Sequence, residues 1–356
     1  MKCDRAVNTK KANKTSFIKI SFRPADRGGQ AHVDVYIESH RYIYIETMHD
    51  PFFRPIKSLR ISLTRKCNLS CLYCHREGEL QNASPYEISV AEIAKVASIC
   101  YDRGVTKVKF SGGEPLLRKD IREIINCLPP FDDISITTNG QLLKQRINDL
   151  KGLDRINISI DTLNPLTYKT LTGGDIKNVI KGLEAAREAD LTPIKINMVV
   201  MDGVNDHEIG EMIKYVQGKD MVLQLIQLMD FMNGSKLKGS NLQVIESTLE
   251  GLSKRTTANT LHNRKRFEIN GAEIEIVRPI DNTEFCMNCN RLRVTSDAKL
   301  KPCLLRNDNL VDIRGIDRMS DDDALGLVME AVNRREPYYR ERTVSRTCGR
   351  WKADTC

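Results

Sequence analysis

Between residues 58 and 230, short apolar runs alternate with amphipathic stretches. The apolar runs fall at 59–64, 106–112, 133–140, 155–161, 194–200 and 222–229. The stretches between them, such as 90–104 and 179–189, repeat apolar residues every three or four positions, which indicates helices packed on a sheet. Six such repeats predict parallel strands joined by right-handed crossovers. The predicted fold class is therefore α/β, a partial (β/α)6 barrel of the TIM type.

The pattern changes after residue 240, where two hairpins are predicted. Residues 266–279 turn at Asn270-Gly271, and residues 291–305 turn at 296–298. These hairpins predict a C-terminal β-containing cap, and apolar runs near the start of the chain predict a small added sheet. The predicted division is an N-terminal extension (1–48), a barrel (49–240), a cap region (241–340) and a basic tail (341–356).

The net charge of +8 is concentrated at the two ends of the chain. Residues 1–30 hold eight Lys and Arg against two acids, and residues 331–356 hold seven against three. Two interpretations stay open, solvated ends or contact with a polyanionic partner. No apolar stretch reaches the roughly 18 residues of a membrane span, and the first residues are charged where a signal peptide is apolar. We therefore expect a cytoplasmic protein without membrane contact.

Six of the eleven cysteines fall into two groups of three. Without an export signal, cysteines are expected to serve as metal or cluster ligands rather than as disulfides. The groups consist of Cys67, Cys71 and Cys74, and of Cys286, Cys289 and Cys303. Two further cysteines, Cys100 and Cys127, lie on apolar helix faces and are predicted to be core.

The first group follows the first predicted strand. Three thiolates on a four-iron cluster leave one iron open to a non-protein ligand. A zinc knuckle is the alternative, but its fourth ligand, His75, directly follows Cys74 and would have to bend back onto the same metal. Together with Gly112-Gly113-Glu114-Pro115 after the next strand, the motif CNLSCLYC resembles the radical S-adenosylmethionine (SAM) superfamily.

This resemblance implies that the open iron binds the amino and carboxylate groups of SAM. The Gly-Gly-Glu segment would meet the amino group, and the aromatic residue before the third cysteine would lie against the adenine. The implied SAM-binding residues are Tyr73, Gly112, Gly113, Glu114, Ser159 and Met229. All of them follow or end predicted strands, where the working loops of such barrels lie.

The second group lies in the segment FCMNCNRLRVTSDAKLKPCLL (285–305). A zinc ribbon completed by Cys348 or Cys356 is one interpretation, and a second cluster with one open iron facing a substrate is the other. The segment closely resembles the GTP 3',8-cyclase family, also called molybdenum cofactor biosynthesis protein A. The resemblance runs from 50–62 to 334–340 and implies two four-iron, four-sulfur (4Fe-4S) clusters, the second of which holds GTP by its guanine base.

A triphosphate requires cations. Arg291 and Arg293 are two apart on a predicted strand, so both side chains point to one side, and the arginine fork suits phosphate. The resemblance implies that further GTP contacts come from Arg60, Lys109, Thr137 and Lys195. Lys109 stands where many members of the family carry arginine. Lysine is a weaker phosphate ligand than the arginine fork but is still a cation.

The family's reaction is the first step of molybdopterin synthesis, carried out by a radical SAM lyase. One electron cleaves SAM to methionine and a 5'-deoxyadenosyl radical, which removes hydrogen from C3' of GTP so that this carbon closes onto C8. The product is (8S)-3',8-cyclo-7,8-dihydroguanosine 5'-triphosphate. The implied partners are GTP, SAM, a low-potential electron donor and, downstream, cyclic pyranopterin monophosphate synthase; a homodimer is an open option.

Two departures from the family pattern stand out. The well-studied members end in a Gly-Gly pair that enters the active site, whereas this sequence ends RTCGRWKADTC. Either Arg346 and Arg350 take over that role or this lineage manages without it, and residues 1–48 have no recognised counterpart. Two alternative functions remain, a peptide-modifying radical enzyme with an auxiliary cluster and a zinc-bearing nucleic-acid-binding protein.

Overall fold

The computed structural model describes residues 19–23, 32–36, 47–79, 84–229, 237–259, 264–280 and 283–339. The chain divides into two compact units, residues 1–46 and 47–356. In the first unit, strands β1 (Lys19–Arg23) and β2 (His32–Tyr36) pair antiparallel. The third apolar run of this region, at 42–46, and the predicted tail at 341–356 lie outside the described residues.

The second unit contains a sheet of twelve strands, of which six form the predicted parallel barrel. Each of the six pairs in parallel with the next one along the chain, as the β–α repeats predict. They are β3 (Ser58–Ser62), β4 (Lys107–Ser111), β5 (Asp133–Thr138), β6 (Arg155–Ser159), β7 (Ile194–Val200) and β8 (Met221–Gln227).

Helices connect these strands and cover their outer face. They begin where short polar side chains cap them: Ser89 and Glu92 form a capping box at the start of the first, and Asp175 accepts a hydrogen bond from the Lys177 amide at the start of the fifth. The helices are α1 (Val90–Asp102), α2 (Ile121–Asn126), α3 (Leu143–Arg146), α4 (Pro165–Thr172), α5 (Ile176–Glu188) and α6 (Ile209–Val216). Within the described residues, no helix has the length and apolar character needed to span a bilayer.

The C-terminal strands continue the barrel sheet. They comprise β9 (Arg255–Asn259), β10 (Arg264–Ile269), β11 (Ala272–Val277), β12 (Arg291–Val294), β13 (Lys299–Lys301) and β14 (Val311–Asp312), with helices α7 (Leu242–Leu252), α8 (Thr283–Met287) and α9 (Asp321–Asn333). Both predicted hairpins are present, as β10–β11 and β12–β13. Strand β12 pairs in parallel with β3, and β11 pairs in parallel with β8. The hairpins thereby cover the two edges that an open six-stranded barrel would leave unpaired.

The two faces of the barrel strands differ in polarity. On β3, Leu59 and Ile61 are fully buried, whereas Arg60 between them is half-buried. On β4, Val108 and Phe110 are buried in the same way around Lys109. Because successive side chains of a strand point to opposite faces, the apolar set packs under the helices and the polar set faces the barrel interior. The interior is therefore lined by polar and charged side chains.

The apolar face should dominate the stability of the second unit. Replacing Phe110, which is fully buried, with alanine should lower the free energy of unfolding by about 3–5 kcal/mol because it leaves a cavity. The matched control is Phe53→Ala, since Phe53 is 87% exposed, and its cost should stay within about 0.5 kcal/mol. Urea unfolding followed by circular dichroism measures both, and equal effects would contradict the assignment of faces.

Candidate active site

A row of cations crosses the barrel interior. The register aligns Arg293 of β12 with Arg60 of β3, and Arg60 with Lys109 of β4. Lys109 is aligned with Ser135 of β5, which is in turn aligned with Arg155 of β6. Three cations therefore stand side by side on neighbouring strands, and like charges in that position repel each other unless an anion lies among them.

The protonation of these groups reflects their crowding. Burial, and then the charges of Arg60 and Arg155, hold the pKa of Lys109 well below its usual value. Burial and the neighbouring Arg293 do the same to Arg291, and the pKa of Arg293 falls to about 10 through burial and Arg60. An anion bound among these groups would stabilise their charged forms. The row thus has the electrostatic character of a polyanion-binding site.

Arg291 and Arg293 lie on the same side of β12, as their spacing on one strand predicts, and that side faces this interior. The residues that alternate with them, Leu292 and Val294, are buried at 0% and 2% exposure, whereas both arginines are half-buried. Neither arginine is fully exposed on an outer surface. Thr137 of β5 lies in the same interior, and its hydroxyl is buried without a hydrogen-bond partner in the described part of the chain.

Lys195 of β7 is already neutralised by an internal carboxylate. Its ammonium group donates to both oxygens of Glu275 at 2.9 and 3.0 Å. Glu275 also accepts hydrogen bonds from Arg266 and from Gln224. Burial alone would raise the pKa of Glu275, but Lys195 and these other donors outweigh it and bring the pKa to about 2. Among the predicted cations, Lys195 is therefore the one whose charge is most fully compensated inside the protein.

The first cysteine group occupies the loop after β3, at the carboxyl end of the barrel. Cys67, Cys71 and Cys74 form no disulfide among the described residues; the first and third are exposed and the second is half-buried. Backbone amides two residues downstream donate to Sγ of Cys67 and to Sγ of Cys74, both at 3.4 Å. Burial, followed by Asp161 and the two other thiols, raises the pKa of Cys71 to about 12.

The Gly-Gly-Glu segment lies directly against this loop. The amide of Gly113 donates to the Thr64 carbonyl at 2.7 Å, and the amide of Glu114 donates to the Lys66 carbonyl at 2.8 Å. A Cβ atom on Gly113 would lie 2.3 Å from the Lys66 oxygen, and one on Gly112, whose φ is 138°, would lie 2.5 Å from the Thr64 oxygen. Only glycine allows so close a contact between the two loops.

The carboxylate of Glu114 holds a third loop in place. It is fully buried and accepts hydrogen bonds from the hydroxyl of Thr138 at 2.7 Å and from the amide of Asn139 at 2.8 Å. The side-chain amide of Asn139 lies 3.8 Å from Sγ of Cys67. The loops after β3, β4 and β5 are thus tied into one surface around the first cysteine group.

The remaining predicted SAM residues lie at the same end of the barrel. The phenol of Tyr73 donates to the carboxylate of Asp161, which lies two residues after the end of β6 and also accepts from the Val199 amide at 2.8 Å. Burial raises the pKa of Asp161 to about 6. Ser159 ends β6 and Met229 follows β8, both half-buried. No hydrogen bond of either side chain to the other site residues is seen among the described contacts.

The second cysteine group lies beside the arginines of β12. Cys286 belongs to α8, Cys289 precedes β12 and Cys303 follows β13; all three are half-buried free thiols. Burial alone would raise the pKa of Cys289, but the guanidinium groups of Arg335 and Arg291 outweigh it, so this pKa is lowered. A thiol with a lowered pKa is readily deprotonated and is therefore a good ligand for a metal.

A buried ion triad that sequence analysis missed holds this second group. Asp50 accepts a hydrogen bond from Arg54 at 2.7 Å and lies 3.0 Å from Nη1 of Arg335. Arg54 in turn donates to the Cys286 carbonyl at 2.8 Å, and Arg335 donates to the Cys289 carbonyl at 2.6 Å. The triad joins segments more than 230 residues apart, and no local pattern in the sequence indicates it.

The chemistry of both donor sets fits iron–sulfur clusters. Each set offers three cysteines that form no disulfide among the described residues, and burial raises the pKa of Cys71 and Cys286. Cationic iron would reverse that cost by stabilising the thiolates, and the amide groups aimed at sulfur in the first loop suit a sulfur-bound cluster. Within the described residues, no three or more His, Cys, Asp or Glu side chains are arranged to hold a single metal ion.

Two family models match this chain. A model of the radical SAM superfamily matches residues 61–216, and a model described as Molybdenum Cofactor Synthesis C matches residues 221–341. Among solved structures, SuiB of Streptococcus suis bound to S-adenosylmethionine is similar with a TM-score of 0.57 at 18% identity. The match covers 78% of this chain and 66% of that one, just under two thirds, and at this identity it shows the fold alone.

Sequence relatives are much closer. The probable GTP 3',8-cyclase of Methanocella arvoryzae is 48% identical over 307 residues, which cover 85% of this chain and 98% of that protein. The probable GTP 3',8-cyclase of Methanothermobacter thermautotrophicus is 46% identical, with 82% of this chain and 99% of that protein covered. With its two cysteine groups and its cation-lined barrel, this chain belongs to the GTP 3',8-cyclase family of the radical SAM superfamily.

Proposed function

We propose that this chain is a GTP 3',8-cyclase that uses two 4Fe-4S clusters, one held by each cysteine group. The observation that carries the proposal is the row Arg293–Arg60–Lys109, which lies on neighbouring barrel strands with a cysteine group beside it. A polyphosphate is the ligand that such a row favours. The experiment is anaerobic incubation with GTP, SAM and a reductant, with detection of 5'-deoxyadenosine and of the cyclised nucleotide.

The barrel residues supply binding and orientation. Arg60, Lys109, Arg291 and Arg293 would hold the triphosphate, and the unpartnered hydroxyl of Thr137 would hydrogen-bond to the nucleotide. Lys195, already paired with Glu275, would contribute less direct charge than the arginines. Fixing the triphosphate restrains the ribose at one position between the two cysteine groups, and such restraint is a large part of what an enzyme can add to a radical reaction.

The carboxyl end of the barrel would hold SAM. The loop of Gly112 and Gly113 presents backbone groups to the amino acid part, and Tyr73 lies beside the first cysteine group. Cys67, Cys71 and Cys74 would hold the first cluster, which when bound would supply the electron for reductive cleavage of SAM and so the radical that would take hydrogen from C3' of GTP. No side chain has to act as a base in that hydrogen transfer, so the protein's task is to position the two substrates and to exclude water and oxygen.

The second cluster would lie with GTP on the inner side of the β12–β13 hairpin. Cys286, Cys289 and Cys303 would hold it, and the triad of Asp50, Arg54 and Arg335 would keep its loop in place. A low-potential electron donor and a downstream cyclic pyranopterin monophosphate synthase complete the proposed set of partners. The proposal places the protein in the cytoplasm, where thiols stay reduced.

The first test concerns the radical-generating cluster. Cys71→Ala leaves two ligands for the first cluster and should abolish reductive cleavage of SAM while the second cluster is retained. The measurements are iron content and 5'-deoxyadenosine formation in anaerobically purified protein. Cys127→Ala is the matched control, since Cys127 lies outside both groups and its loss should leave both values unchanged. Cleavage at the native rate by the Cys71 variant would show that residues 67–74 do not hold the cluster.

The second test concerns the substrate-side cluster. Cys289→Ala removes one of the three protein ligands of the second cluster. The variant should therefore contain about half the iron and should not convert GTP. Slow formation of 5'-deoxyadenosine without cyclised product should remain, since the first cysteine group is intact. Product analysis by chromatography measures both activities, and normal cyclisation by this variant would show that the second group has only a structural role.

The third test concerns the β12 arginines. Charge-assisted hydrogen bonds from arginine are worth about 1.5–3 kcal/mol, so Arg291→Ala or Arg293→Ala should weaken GTP binding about tenfold or more. Both variants should keep their iron, because neither arginine is a ligand. Arg314→Ala is the control, since Arg314 is exposed and pairs with Asp312. Calorimetric titration under anaerobic conditions measures the affinities, and unchanged binding by both variants would leave the cyclase assignment resting on the cysteines and the sequence relatives.

A further inference from the structure

A carboxylate occupies the centre of the cation row. Glu77 accepts a hydrogen bond from Nη2 of Arg60 at 2.9 Å, and its second oxygen lies 3.8 Å from Nη1 of Arg293. The side chain is 15% exposed. Burial alone would raise the pKa of Glu77, but Arg60, His75 and Arg293 outweigh it, so the pKa is lowered and the group is charged. Glu77 therefore neutralises two of the cations that a triphosphate requires.

Little space is left beside Glu77 in the cation row. A cavity between the carboxylate and the strands has a volume of about 10 Å³, which corresponds to about one water molecule. Its lining includes Arg60, Ser62, Glu77, Ser111, Arg293 and Lys301. A phosphate that bonds to the same guanidinium nitrogens as Glu77 would have to replace the carboxylate there.

The backbone holds Glu77 in this position at a cost. Arg76 and Glu77 have φ angles of 49° and 53°, the left-handed region that residues with a Cβ rarely adopt. The next residue, Gly78, is fixed, because its carbonyl accepts a hydrogen bond from Nζ of Lys301 at 2.9 Å and an added Cβ would lie 2.2 Å from the Leu304 oxygen. The left-handed backbone at Arg76 and Glu77 thus directs the Glu77 carboxylate toward the arginines. The following residue, Gly78, is held against the segment that contains Cys303.

We propose that Glu77 is a built-in counter-ion of the triphosphate site, which stabilises the row of cations in the empty enzyme and is displaced by the phosphate chain of the substrate. The proposal rests on the assignment of Arg60 and Arg293 to the triphosphate under the proposed function. Because the contacts of Gly78 fix the backbone, we expect the Glu77 carboxylate to leave by rotation of its side chain while the loop stays in place. Each binding event then exchanges one anion for another at the same guanidinium groups.

This exchange has a measurable consequence. A ligand that must displace an internal competitor binds directly only to the fraction of molecules whose site is open. Its apparent affinity is reduced in proportion to that fraction. Glu77→Gln keeps the size of the side chain and removes its charge, so it should raise the affinity for GTP about tenfold if the native carboxylate is bound in about nine of ten empty molecules. Inorganic tripolyphosphate should gain by the same factor, whereas guanosine, which has no phosphate, should bind as it does to the native protein.

The experiment is anaerobic calorimetric titration of cluster-loaded protein with GTP, tripolyphosphate and guanosine. Glu87→Gln is the matched control, because Glu87 is a half-exposed acid that accepts from Thr64 at 2.5 Å, away from the cation row. A second variant, Glu77→Asp, keeps the charge but shortens its reach and should give a smaller gain. Iron content and circular dichroism establish that each variant is folded.

Three results would overturn the proposal. Unchanged affinity of Glu77→Gln for both phosphate ligands would show that the carboxylate does not compete with them. Weaker binding of GTP with unchanged tripolyphosphate binding would make Glu77 a direct contact of the nucleoside, and weaker binding of both would make it a structural support. Tripolyphosphate also separates this proposal from the proposed function: a gain for tripolyphosphate in a protein that does not bind GTP would support the counter-ion and contradict the cyclase.

Discussion

The repulsion among buried cations is the constraint around which this barrel is organised. Arg293, Arg60 and Lys109 stand side by side on three adjacent strands, and burial combined with mutual repulsion lowers the pKa of Lys109 and of Arg293. A protein can maintain such a row only if the surrounding structure fixes it and an anion compensates it. Glu77 compensates Arg60 and Arg293 in the protein as described, and a bound polyphosphate would compensate the same groups.

The continuity of the sheet explains why substrate site and cysteine groups meet. Strand β12 adds to the barrel beside β3, so the arginines before the second hairpin turn become neighbours of Arg60, whose own strand leads into the first cysteine loop. The Gly112-Gly113 backbone and the Glu114 carboxylate then join the loops of three strands around that first group. Two cysteine groups and one cation row thus share a single continuous sheet, and such a fixed arrangement favours precise orientation of bound reactants.

Much of this arrangement could be predicted from sequence. The six parallel strands follow from repeated apolar runs, both hairpins follow from their turns, and the placement of Arg291 and Arg293 on one side of their strand follows from its two-residue period. Periodicity identifies the face of a strand but not its neighbours across the fold. For this reason the continuity of the hairpins with the barrel, the pairing of Lys195 with Glu275 and the triad of Asp50, Arg54 and Arg335 emerge only from the structure. In the sequence, Glu77 has no feature that distinguishes it from other acidic loop residues. Its contacts with Arg60 and Arg293 are visible only in the structure.

The central claim is that the cation row holds GTP with its ribose facing the radical formed at the first cysteine group. The most direct measurement is anaerobic turnover of GTP deuterated at C3', with mass analysis of the 5'-deoxyadenosine that is released. The account predicts that one deuterium appears in 5'-deoxyadenosine together with a cyclised nucleotide, and that GTP deuterated at C8 transfers none. Unlabelled 5'-deoxyadenosine from the C3'-deuterated substrate would contradict it.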